Sequence, residues 1–133
     1  MLFRSNDIAC EFPRLDERRT GLSYRYGFMA CNTDPEFSLG GFNGIGRIDH
    51  QTTKLDLYDV GPGCATNEPI FVPRNDGASE GDGYVLANIY DENRKASHLV
   101  ILDAQNLSSG PLATAYLDHR VPFGFHGNWK PAN

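Results

Sequence analysis

Glycine and proline interrupt this chain so often that no helical stripe survives. Fourteen glycines and eight prolines are spread over 133 residues, and apolar side chains do not recur at the spacing an amphipathic helix requires. The segments between the breaks are short and rich in β-branched and aromatic residues. Residues 24–31 alternate aromatics and read as a strand. Residues 42–48 and 54–60 flank the polar insert 49–53 and read as a hairpin. Residues 84–90, 98–103 and 112–117 are three more runs separated by turns, expected as an antiparallel meander. Two proline-marked pieces, Asp7 to Pro13 and Ile70-Phe71-Val72 between Pro69 and Pro73, complete the set of expected strands. Proline has no N–H to donate, so the second piece is not expected to be central in a regular ladder along its whole length. The fold class is all-β, with antiparallel sheets in blade-like groups.

Composition narrows the function. A hydrophobic content of 40% with 22% charged residues suits one globular domain. No apolar run approaches the roughly 20 residues needed to cross a bilayer as a helix, and Met1-Leu2-Phe3-Arg4 lacks the longer apolar region expected of a signal peptide. The net charge of −5 argues against nucleic acid as a partner. The densest basic spot, Arg14 with Arg18-Arg19, is diluted by Asp16 and Glu17. Cys10, Cys31 and Cys64 lack CxxC spacing, which fits free thiols in a reducing cytoplasm.

Four histidines are available for chemistry. His50 falls in the expected hairpin turn, His98 precedes an apolar run and His119 lies between Asp118 and Arg120. All three are expected to face solvent. His126 differs, because it lies between two glycines and among Phe123, Phe125 and Trp129. Such surroundings keep an imidazole neutral, in one rotamer and away from water. That suits a metal ligand, but a lone histidine beside aromatics is more often a buried, hydrogen-bonded core residue. A ligand histidine usually donates its other ring N–H to a carboxylate or carbonyl. Most carboxylates here fall in charged loops. Two do not: Glu68 precedes Pro-Ile-Phe-Val-Pro, and Glu11 precedes Phe-Pro with Ile8 and Cys10 behind it. Each either caps a strand end or supports such a histidine.

Five motifs then follow one another in a particular order. They are Glu11-Phe12-Pro13-Arg14; Glu68-Pro69-Ile70-Phe71-Val72-Pro73-Arg74; Glu80-Gly81-Asp82-Gly83-Tyr84-Val85-Leu86; Leu102-Asp103-Ala104-Gln105 with Leu107-Ser108-Ser109-Gly110-Pro111; and Val121-Pro122-Phe123-Gly124-Phe125-His126-Gly127. In this order they resemble the carotenoid cleavage oxygenase family, and most of all its bacterial lignostilbene dioxygenase branch. The resemblance runs over nearly the whole chain.

That resemblance implies a seven-bladed β-propeller carrying Fe(II) on its axis, held by four histidines, three of them oriented by glutamates. It implies that His126 is the last iron ligand, that Glu68 hydrogen-bonds it, and that Glu11 supports the preceding histidine. The other three ligands and the first glutamate belong upstream. Residues 1–133 therefore correspond to the C-terminal part of such a propeller, with Met1 an internal residue or a truncated start. The implied reaction is oxidative scission of a conjugated C=C bond by O₂ into two carbonyls, on a stilbenoid or carotenoid substrate. Phe125 is expected to line the substrate tunnel. The rest of the propeller is the implied partner, and the isolated chain is expected to be inactive. The alternative is a non-catalytic β-module, or a degenerate propeller fragment acting in protein interaction, in which His126 only packs.

Overall fold

The computed structural model describes residues 8–132, so Met1 and Asp7 lie outside the described residues. Two antiparallel sheets make up the fold. The first has the order β1 (Ala9–Arg14), β2 (Tyr26–Asn32), β3 (Gly44–Asp49) and β4 (Lys54–Asp59). In the second, β5 (Cys64–Thr66) and β6 (Ile70–Pro73) share one edge of β7 (Gly83–Asp91). Beyond β7 follow β8 (Ala96–Asp103) and β9 (Pro111–Tyr116). Helix among the described residues is limited to single 3-10 turns at Glu17–Arg19 and Leu107–Ser109.

The hairpin over 49–53 and the meander of three long runs form as the sequence implies. Two details differ. Residues 64–66 form a short strand where the sequence implies only a break at Gly61-Pro62-Gly63, bringing the described strands to nine. Pro13 was expected to end its strand, yet β1 runs on to Arg14. The reason is a bulge. Glu11 faces Ala30 and Arg14 faces Phe28, so three steps on β1 match two on β2. Within a bulge the missing N–H of proline costs no ladder bond.

One core joins both sheets. Phe28 of β2 stacks on Phe71 of β6 with ring centroids 5.2 Å apart, and Ile45, Val85, Ile89, Val100 and Leu102 close around them. Truncating a buried phenylalanine of this kind costs about 3–5 kcal/mol. Polar contacts also cross between the sheets. The Asp56 carboxylate accepts from the backbone N–H of Leu107 at 2.7 Å and Ser108 at 3.2 Å. At the bridge between Phe42 and Thr66, Gly41 has φ +71°, and a Cβ there would lie 2.6 Å from the Thr66 carbonyl. Gly83 is needed for a similar reason, since its Cβ would come within 2.2 Å of the Val72 carbonyl. Only glycine lets β6 close on β7 there.

Past β9 the described residues 117–132 form no strand or helix, yet this tail is anchored. Val121 donates its N–H to the Ser97 hydroxyl at 3.0 Å. The Arg120 guanidinium lies over the Tyr90 ring at 4.4 Å and the Phe123 ring at 5.1 Å. These anchors lead the tail back towards β6 and β7.

Candidate functional site

The tail brings His126 to Glu68, 58 residues earlier in the chain. Glu68 Oε1 lies 3.1 Å from His126 Nδ1, and Oε2 accepts the Gly127 N–H at 2.9 Å. A third donor comes from β1: Arg14 Nη1 lies 3.1 Å from Glu68 Oε1. The Glu68 side chain is 6% exposed, so it is the buried partner. Burial alone pushes its carboxyl group up. The Gly127 N–H, His126 and Arg14 outweigh that effect and hold it below the usual carboxylate range.

A carboxylate only accepts hydrogen bonds, so Nδ1 of His126 must carry the hydrogen in this contact. The lone pair of a neutral ring then lies on Nε2, which has no hydrogen-bond partner among the described residues. Phe12 meets the ring edge-on at 5.9 Å and meets Phe42 at 5.8 Å. Phe12 lies in the β1 bulge with φ +54°. That left-handed conformation is a rare one for an aromatic residue, of the kind held under strain at functional sites.

The apolar, water-excluding setting expected for His126 is not what the chain builds. The ring is 76% exposed and Phe125 is 78% exposed. Glycines 124 and 127 lend the tail no bulk, and no described segment covers the outer side of the ring. Phe125, His126 and Val121 border an open cleft of about 260 Å³ whose floor includes Leu86 and Leu99. Glu11 is exposed on β1 and does not join the cluster of Glu68 and His126.

The remaining histidines divide. His50 and His119 are exposed as expected. His98 is not: it is half-buried, with Nδ1 inaccessible and unpaired. Burial and, secondarily, the Arg94 guanidinium hold it below the ordinary histidine range. It follows the first residues of β8, and its ring packs on Tyr116 of β9 at 5.4 Å. Pairing with β9 covers a residue that sequence places at a strand entrance.

Arg14 is the residue the sequence reading missed. It was part of a basic spot, and each arginine of that spot meets a carboxylate. Arg18 pairs with Asp16 at 2.6 Å, Arg19 reaches Glu80 at 3.7 Å, and Arg14 meets Glu17 and Glu68. The only local signal was its place within Glu11-Phe12-Pro13-Arg14.

One imidazole with a carboxylate on one nitrogen and nothing on the other suits a single metal ligand. It does not make a site alone. Among the described residues, no group of three or more His, Cys, Asp or Glu side chains could hold an ion. Any further donors would lie outside this set.

Residues 3–131 match the model of the RPE65 family, retinal pigment epithelial membrane protein. The chain belongs to that family. This is the carotenoid cleavage oxygenase family the motifs resemble, and the all-β fold class agrees with its solved members. The chain is 44% identical to the lignostilbene-alpha,beta-dioxygenase isozyme III of Sphingomonas paucimobilis over 92% of its own length and 27% of that enzyme's. A lignostilbene dioxygenase of Pseudomonas brassicacearum superimposes with a TM-score of 0.89 at 34% identity, covering 96% of this chain and 28% of that one. A cobalt-substituted apocarotenoid oxygenase of Synechocystis does so with a TM-score of 0.88 at 34% identity, covering 96% and 26%. The chain thus spans less than a third of these family members. No described helix is long and apolar enough to cross a membrane.

Proposed function

We propose that residues 1–133 form the C-terminal part of a seven-bladed propeller oxygenase that cleaves a conjugated C=C bond with O₂ into two carbonyl products. The observation that carries this reading is the contact between a buried Glu68 and Nδ1 of His126, which leaves Nε2 free. In this reading His126 is one of four histidines on Fe(II), and Glu68 orients it. The metal's chemistry, when bound, is O₂ activation beside an apolar substrate. The remaining work falls to the chain itself. Glu68 keeps the hydrogen on Nδ1 and makes the imidazole a better donor at Nε2. Gly127 and Arg14 keep Glu68 in place, and Phe12 fixes the plane of the ring from one side.

Glu11, exposed on β1, would support the preceding histidine from the upstream part. Phe125, beside the cleft with Leu86 and Leu99, would offer an apolar wall to a stilbenoid or apocarotenoid substrate. The exposure of His126 and Phe125 is what a surface completed by the rest of the propeller would leave here. The cytoplasm suits three cysteines that form no disulfide.

The test is to load the full-length protein carrying this chain with Fe(II) anaerobically, then to supply a stilbenoid and an apocarotenoid with ¹⁸O₂. Labelled carbonyl products from one of them are expected. Tight iron binding with neither substrate cleaved would overturn the reaction, and absence of iron binding would overturn the metal.

A further inference from the structure

Resting on the reading of His126 as a metal ligand, we propose that Arg14 is a positioning residue for that histidine. Its guanidinium locks Glu68 and the segment after His126 into one arrangement, so that Nε2 is presented in a fixed direction. Four acceptors converge on this one group. Nη1 lies 3.1 Å from Glu68 Oε1 and donates to the Gly127 carbonyl at 2.9 Å. Nη2 donates to Asn128 Oδ1 at 3.1 Å and to Glu17 Oε1 at 2.5 Å. Asn128 closes the ring of contacts by donating from Nδ2 to Glu17 Oε2 at 3.2 Å. The Arg14 side chain is only 14% exposed. It therefore holds both neighbours of the ring: Glu68, which grips Nδ1, and the backbone immediately after His126.

The β1 bulge makes this possible. With the extra residue, Arg14 stands opposite Phe28, whose ring faces the second sheet. In unbroken register it would stand opposite Gly27 and project from the other face. The same bulge carries Phe12 against the His126 ring, so one irregularity supplies a ring contact and a guanidinium. A planar fork suits this place because its donors diverge in fixed directions towards acceptors on three segments. A lysine ammonium is a point charge with no such plane.

The experiment uses the full-length protein carrying this chain, with R14A, R14K and N128A variants. One readout is the ¹⁵N spectrum of the histidine rings in metal-free protein, the His126 signals being assigned by their loss in H126Q. The other is the rate at which Fe(II) is lost to a chelator. Wild type is expected to show a single ring form with hydrogen on Nδ1. R14A is expected to broaden or split the His126 signals and to speed iron loss about tenfold, within the range seen when partners of ligands are removed. R14K should recover folding stability but only part of the ring signature, and N128A should shift both readouts in the same direction by less.

Wild-type ring signals and iron-loss rate in R14A overturn the proposal, as does complete rescue of both by R14K. If R14A does not fold, R14K and N128A decide, and wild-type signals in both overturn it. Iron retention by H126A would instead overturn the ligand reading, while the ring spectrum still judges Arg14.

Discussion

Two histidines on the same C-terminal tail each meet a carboxylate through Nδ1, and the two pairs are built in opposite ways. His119 lies 2.6 Å from its sequence neighbour Asp118, with side chains 67% and 97% exposed. His126 lies 3.1 Å from Glu68, which is 6% exposed and comes from the link between β5 and β6. The shorter contact is the weaker device. Water competes for every atom of the first pair, and exposed pairs of this sort contribute little. In the second pair the carboxylate is shielded and fixed by two further donors, Gly127 and Arg14. Orientation of an imidazole thus depends on how its partner is held, more than on the ring-to-oxygen distance.

The comparison breaks most sharply at His126. In the full-length protein, His126→Ala is expected to abolish both iron retention and C=C cleavage, read by metal analysis and product formation. His119→Ala should leave both within about twofold, as expected of an exposed pair. Equal losses in the two variants would erase the distinction.

The partner carboxylates should separate next. Glu68→Gln keeps the shape but replaces an ionised acceptor with a neutral amide. Iron affinity or turnover should fall by about 10–100-fold. Asp118→Asn should change neither, although hydrogen bonding to His119 holds Asp118 below the usual carboxylate range. A tenfold effect at Asp118 would show that contact distance outranks burial.

Asp49 sharpens the point without any histidine. Arg25 grips it through two donors, at 2.9 and 2.6 Å, and the Gln51 N–H adds a third at 3.0 Å. Arg25 first, and then the Gln51 and Thr52 donors, hold its carboxyl well below the usual range against the effect of burial. Its folded pKa lies below its unfolded one, near 4. The stabilisation is therefore full above about pH 4 and is lost as pH falls through the folded value. Thermal melts of wild type and Asp49→Asn should differ by a constant gap from about pH 5 to 8 and converge in stronger acid. A gap that widened in acid would contradict this sign.

The smallest expected effect is at Phe125. Leucine there keeps an apolar wall on the cleft, so iron binding should be unchanged while KM for an aromatic substrate rises severalfold. A shift in iron affinity instead would tie Phe125 to the ligand and not to the cleft.

Much of this was legible in the chain. Glycine and proline punctuation with short β-rich runs sufficed for the meander and the hairpin, because alternation and turn chemistry are local properties. The ordered motifs carried the family, and through it the pairing of Glu68 with His126. Residues 64–66 were not legible as a strand, because three residues carry no period of their own. They become a strand only when β7 offers its edge.

The sequence by itself determined the fold class, the exclusion of the proline-bounded segment from a central place in a regular ladder, and the two polar groups fit to meet at the site. Only the tertiary structure decided which side of β1 Arg14 faces, because a one-residue bulge reverses the face of everything after it. It also decided that His98 is covered and that His126 stands open. Exposure is a property of what packs against a residue, and those neighbours lie far away along the chain or outside it.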